Sequence, residues 1–139
     1  MAEGSSMKSA ARHDRVRKQH SDELAEDYVE AIAELLSGRG QARVTDLQQV
    51  FGVSHVSVIR ALKRIEERGL AQKAQDGSWE LTTPGKRMAK ESAERHELVV
   101  RFLKALGVSD VQAEADAEGM EHHLSSETLQ ALRRFVKNG

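Results

Sequence analysis

With 139 residues and no cysteine, the chain is one domain or two small ones sharing a core, and disulfides, thiolate zinc sites and cysteine catalysis are excluded. Its 31% charged and 39% hydrophobic residues fit a helical soluble protein, while a formal charge of −1 argues neither for nor against nucleic acid. No apolar run approaches a membrane span and no charged-then-apolar leader reads as a secretory signal, so a cytoplasmic location is expected.

Charge is unevenly distributed. Basic residues gather at Arg12, Arg15, Arg17 and Lys18 and again at Arg60, Lys63, Arg64 and Arg68, between acidic stretches around Asp22–Glu34 and Asp110–Glu121. Residues 1 to about 11 are small, polar and aperiodic and read as disordered, within a flexible or partly helical extension over 1–21. Leu24, Tyr28, Ile32 and Leu35 then recur at helical spacing, and Gly38-Arg39-Gly40 stops the helix. Asp27 and Glu30 stand at the edge of this apolar stripe, where a boundary salt bridge would also account for them.

Thr45 followed by Gln48 reads as a capping box for a second helix, with Leu47, Val50 and Phe51 as its apolar side. Gly52 breaks it, and Ser54 caps a third helix that turns Val58, Leu62 and Ile65 inward. Two short helices across a glycine turn form the helix-turn-helix pattern. The third helix is expected to present Ser57, Arg60, Ala61, Lys63 and Arg64 outward, and Ser54, His55, Ser57, Arg60, Lys63 and Arg64 are the candidate DNA contacts. A solvated basic face paired with Glu66 and Glu67 is the plainer account. Leu70–Lys73 and Trp79–Thr82 flank an Asp76-Gly77 turn, a hairpin placed as a wing, with Lys73 within reach of phosphate and Trp79 assigned to packing.

Thr83-Pro84 starts a long helix to about Leu106, with Met88, Ser92, Val99, Leu103 and Leu106 as its stripe and His96 within it. Ser109 caps a fifth helix. A sixth carries Leu129, Leu132, Phe135 and Val136, an apolar strip that favours a partner subunit. On the fifth, Glu118, Glu121 and His122 fall at i, i+3 and i+4, so a continuous helix places them on one face. Alone, that grouping is either a charged surface or part of a site for manganese, ferrous iron or zinc.

Taken in order, helix, helix-turn-helix, wing, long helix and acid-and-histidine helix, with Glu26-Asp27-Tyr28-Val29-Glu30, Arg95-His96-Glu97-Leu98 and Asp116-Ala117-Glu118-Gly119-Met120-Glu121-His122-His123-Leu124-Ser125, resemble the diphtheria toxin repressor family, and within it the manganese transport regulator branch. The resemblance covers roughly residues 22–138. It implies a mainly α fold, with a winged helix-turn-helix DNA-binding domain over 22–83 and a helical metal-binding and dimerisation domain over 84–139. It further implies a homodimeric, metal-activated repressor of metal-uptake genes, with palindromic operator DNA as its partner. Asp27, Glu30, His96, Glu118, Glu121 and His122 are implied to ligate two Mn(2+) per subunit, with Fe(2+), Zn(2+) or Co(2+) as alternatives. Iron-responsive members commonly carry methionine at the position of Asp27, so the aspartate points to manganese. Gln48 and Val56 depart from residues common in the family, and His13 and His20 lie outside the implied site.

An iron- or zinc-responsive repressor of the same fold is the alternative within this class. A ferritin-like di-metal enzyme needs Glu-x-x-His on each of two helices, and this chain offers Glu118-x-x-Glu121-His122 and a lone His96. With no phosphate-binding or nucleophile-elbow motif either, enzymatic activity is not expected.

Overall fold

The computed structural model describes residues 2–138, with side chains from Lys8 onward. Six helices and one hairpin follow in order: α1 (Ala2–Arg39), α2 (Val44–Phe51), α3 (His55–Glu67), β1 (Ala71–Lys73), β2 (Trp79–Leu81), α4 (Thr83–Ala105), α5 (Asp110–Met120) and α6 (Ser126–Asn138). None of the described helices is long and apolar enough to cross a bilayer.

The α1 helix corrects the expectation of an aperiodic start. It runs back to Ala2, the first described residue. Residues 10–21 are exposed throughout. A stripe criterion looks for burial, whereas Ala, Arg, Lys and Glu favour helix without it. From Ala25 the helix buries Tyr28, Val29, Ile32 and Leu35 in a core shared with Leu47, Val58, Leu62, Ile65, Trp79 and Leu81. Tyr28 stacks on Phe51 with ring centroids 4.4 Å apart, joining α1 to α2.

Two caps differ by a residue or two from those expected. Helix α2 begins after Arg43, whose N–H is accepted by Asp46 Oδ2 at 3.0 Å, so the closing carboxylate is Asp46 rather than Gln48. Thr82, not Thr83, caps α4, accepting the Gly85 N–H at 3.2 Å and donating to the Gly69 carbonyl at 2.6 Å. Ser54 caps α3 as read, accepting from Ser57 N–H. Such caps contribute about 1 kcal/mol each. Ala61 faces inward, 5% exposed, rather than toward solvent. It stands at i+3 from Val58 and i−4 from Ile65, inside the apolar arc that its small side chain concealed.

The hairpin pairs Ala71 with Leu81 and Lys73 with Trp79, antiparallel, and the buried Trp79 packs as expected. Gly77 takes φ +87° at the turn. At Gly85 the need is space, since a Cβ there would stand 1.9 Å from the Leu70 carbonyl oxygen. That contact seats the first turn of α4 against the start of the wing.

Helix α4 spans the molecule. Met88 and Ala89 join the first core, and Leu98, Val99, Val100 and Leu103 form a second with Ala113, Ala117 and Leu132. Phe102 meets Phe135 edge-on at 5.4 Å, tying α4 to α6. Between the two apolar stretches of α4 lie Ser92, Arg95 and His96, where α1 and the end of α5 approach.

Candidate metal centre

Helix α5 stops at Met120, and Glu121 is its C-cap. The uninterrupted helical face expected for Glu118, Glu121 and His122 therefore does not form. Glu121 keeps helical φ and ψ and its N–H still reaches the Ala117 carbonyl, but His122 lies in the turn beyond. The consequence is directional. Glu118 and Glu121 face His96 on α4, while His122 turns to α1.

Two donor groups result. His96, Glu118 and Glu121 form one, and Glu23, Asp27 and His122 the other, each with ligand-type atoms within 4.8 Å of one another. Glu121 links them. Its Oε2 is 2.7 Å from His96 Nδ1, and its Oε1 is 3.4 Å from His122 Nε2. His122 Nε2 is also 3.3 Å from Asp27 Oδ1, and His96 Nδ1 is 3.6 Å from Glu118 Oε1. Glu30 belongs to neither group; it stands three residues after Asp27 on α1, and the charges of Asp27 and Glu118 help raise its carboxyl. All six residues implied by the family pattern thus converge on the junction of α1, α4 and the end of α5.

Sequence reasoning passed over the residues behind them. The other nitrogen of each imidazole is held by a carboxylate: His96 Nε2 by Glu114 at 2.7 Å, and His122 Nδ1 by Glu26 at 2.7 Å. Glu26 also pairs with Arg95 at 2.6 Å. The signal existed for Glu26 and Arg95, each adjacent to a quoted ligand. Glu114 gave none beyond its place one turn before Glu118.

Electrostatics make this a strained set of charges without a cation. Burial would raise the Glu26 carboxyl, but His122 and Arg95 outweigh it and hold it below the ordinary range. The carboxylates of Asp27 and Glu26 push the His122 imidazole up to about 10, despite its burial. Burial also works against protonation of His96, yet Glu114 and Glu121 raise it. Glu30 is pushed up by burial and then by Asp27 and Glu118. Glu121, 1% exposed, is pushed by burial up to about 7, and its Oε1 has no hydrogen-bond partner. A buried, unpartnered carboxylate oxygen between two imidazoles is stabilised by a proton or a cation. With oxygen and imidazole donors and no thiolate, the set fits hard or borderline divalent ions such as manganese, ferrous iron and zinc.

The candidate DNA-contacting residues Ser54, His55, Ser57, Arg60, Lys63, Arg64 and Lys73 are all exposed. Arg60, Lys63 and Arg64 have no ion pair among the described residues, so Glu66 and Glu67 do not neutralise them. Arg68 differs, reaching Asp22 on α1 at 3.3 Å.

Residues 82–138 match the model of the iron dependent repressor metal binding and dimerisation domain. The transcriptional regulator MntR of Escherichia coli O6:H1 is 46% identical over 123 residues, 88% of this chain and 79% of that protein. The HTH-type transcriptional regulator MntR of Bacillus subtilis is 32% identical over 112 residues, 81% of this chain and 79% of that protein. Among solved structures, a manganese-dependent transcriptional repressor in complex with manganese superposes with TM-score 0.73 at 25% identity, over 81% of this chain and 52% of that one. The crystal structure of T. acidophilum IdeR gives TM-score 0.68 at 28% identity, over 79% of this chain and 53% of that one. The chain spans about half the length of these two solved chains. Sequence identity across both halves, a matching C-terminal domain and the shared winged-helix architecture lead to one conclusion: the chain belongs to the MntR transcriptional regulators of the diphtheria toxin repressor family.

Proposed function

We propose that the chain is a manganese-responsive transcriptional repressor that binds palindromic operator DNA as a metal-activated homodimer in the cytoplasm and controls metal-uptake genes. The observation that carries this reading is Glu121. One carboxylate, buried and with an unpartnered oxygen, faces both histidines and so joins the α1 and α4 sides of the junction. Asp27, Glu30, His96, Glu118, Glu121 and His122 would hold two divalent ions, with Glu121 between the two histidines. Bound there, the ions supply positive charge to a centre whose four ligating carboxylates formally carry −4, and bring the whole chain from −1 to about +3.

The division at about residue 83 gives each half a task. Residues 22–83 present the recognition helix α3 and the wing, and residues 84–139 supply α4 to α6 for the partner subunit, with Phe135 48% exposed. Arg60, Lys63, Arg64 and Lys73 engage phosphates and base edges, with Ser54, His55 and Ser57 at the N-terminal end of α3 close to the groove. Exposed Val56 and Ile59 on the same helix suit apolar contact with thymine methyls. Because α1 carries Asp27 and Glu30 and packs against α3, its attachment to α4 and α5 fixes where α3 stands. Two recognition helices of a dimer would then meet grooves about 34 Å apart.

Operator binding with and without chelator, repeated with manganese, ferrous iron, zinc and cobalt, tests the reading. Manganese is expected to tighten binding by about 5–150-fold. Binding indifferent to chelator would assign the chain to metal-independent regulation, and a stronger response to iron or zinc would favour the alternative repressor.

A further inference from the structure

The donor group around His122 contains a carboxylate outside the six residues of the family pattern. Glu23 stands four residues before Asp27 on α1, so the two side chains overlie on one face. A Glu23 oxygen, an Asp27 oxygen and a His122 nitrogen lie within 4.8 Å of one another, close to the separation of three donors around one small cation. Glu23 is half-buried and stands 3.6 Å from His123 Nε2, a neighbour that keeps it at this end of the junction. Glu30, by contrast, is in neither donor group. An independent sign at the same place is Glu121 Oε1, buried without a hydrogen-bond partner and 3.4 Å from His122 Nε2.

We propose that Glu23 is an additional metal ligand on the His122 side of the centre, a role that rests on the metal-responsive reading above. With Glu23, Asp27 and one oxygen of Glu121, that side offers three carboxylate oxygens to a single imidazole nitrogen. An oxygen-rich set of this kind suits manganese, which takes six ligands, over zinc, which is satisfied by four. Glu23 therefore adds selectivity as well as affinity, where affinity alone favours zinc.

The test is titration of the full-length chain with manganese chloride alone, following free Mn(2+) by electron paramagnetic resonance and heat by calorimetry, then the same with zinc. Wild type is compared with Glu23→Ala and Glu23→Gln, the second keeping the shape and hydrogen bonding while removing the anionic oxygen. Both variants are expected to weaken one of two manganese ions by at least the roughly 10-fold that loss of even an outer-shell partner costs. The other ion should be unchanged, zinc should be affected less than manganese, and the metal-free melting temperature should be unmoved. Unchanged manganese affinity in both variants would overturn the proposal, as would wild-type affinity in Glu23→Gln, which would leave Glu23 a hydrogen-bonding role only. Equal weakening of both ions with a lowered metal-free melting temperature would also overturn it in favour of a structural role. Wild type that takes up no manganese would instead overturn the metal-responsive reading, which separates the two failures.

Discussion

Around α1, α2, α3 and the hairpin, Ile32, Leu47, Val58 and Leu62 are fully covered. Around α4, α5 and α6, by contrast, Leu106 is 58% exposed, Val111 83% and Phe135 48%, and Leu132 is the one buried side chain of α6. The first region also leaves Val50, Val53, Val56 and Ile59 exposed, but these lie on α2, α3 and the turn between them, outside a centre that four elements enclose. The second is a layer of helices with one side uncovered, as a subunit interface requires. The candidate metal centre sits where these regions meet on α4, so the residues proposed to hold metal come from both. On the proposed reading, a cation bound among the carboxylates and histidines at this junction would set how the two regions attach.

The contrast in closure is open to direct attack. Leu62→Ala leaves a cavity in the closed core and is expected to cost about 2–5 kcal/mol by urea titration. Leu132→Ala, at the rim of the thinner cluster, is expected to cost less than half as much in the metal-free chain. Equal losses would break the comparison.

Glu121 probes the junction. Its folded-state pKa of about 7 exceeds the ordinary 4.5, so in the metal-free chain its charged form disfavours folding. That cost is absent below about pH 4.5, grows as pH rises and is complete above about 7, at roughly 3 kcal/mol. Metal-free Glu121→Gln should therefore melt above wild type at pH 8 and lose the advantage near pH 5, with the order reversed in excess manganese. His122 works in the other sense. Raised to about 10, it stabilises the metal-free chain below about pH 6.5, and that contribution is lost as pH rises through 10. Melts in chelator and in manganese across this pH range read both effects. The same order of stability in both media would detach Glu121 from metal binding.

The smallest expected change sharpens the chemistry at the junction. Asp27→Met should lose part of the typical 1–3 kcal/mol coupling between manganese and operator while responding better to ferrous iron. Operator binding measured metal by metal checks this. Unchanged metal preference would remove Asp27 as the selectivity residue.

Much of this was legible in the residues. Apolar spacing located α1 from Leu24 onward, Gly52 and Ser54 marked the helix-turn-helix, and Asp76-Gly77 marked the wing. Helix over residues 2–11 was missed, while the extension to 21 was read as partly helical, because exposed helix leaves no apolar stripe. Ala61 was misplaced because alanine is indifferent to burial, and the caps of α2 and α4 shifted because several neighbouring side chains were able to fill them. Of the centre, the implied ligands were legible through their joint pattern. Glu26 had its place beside Asp27 to mark it, whereas Glu23 and Glu114 had no such mark, since both sit on helices rich in other acids.

The sequence by itself determined the elements, their order and the kinds of donor atom available, because periodicity, caps and turns are properties of neighbouring residues. Only the tertiary structure decided that α5 ends before His122, which nitrogen of each imidazole meets which carboxylate, and that Glu121 faces both histidines. Those facts depend on distances between residues as far apart in the chain as Glu26 and His122, which touch at 2.7 Å. Local pattern carries no measure of such distances. They follow from the packing of α1 and α5 against α4, which sets the separation of every charge in the centre.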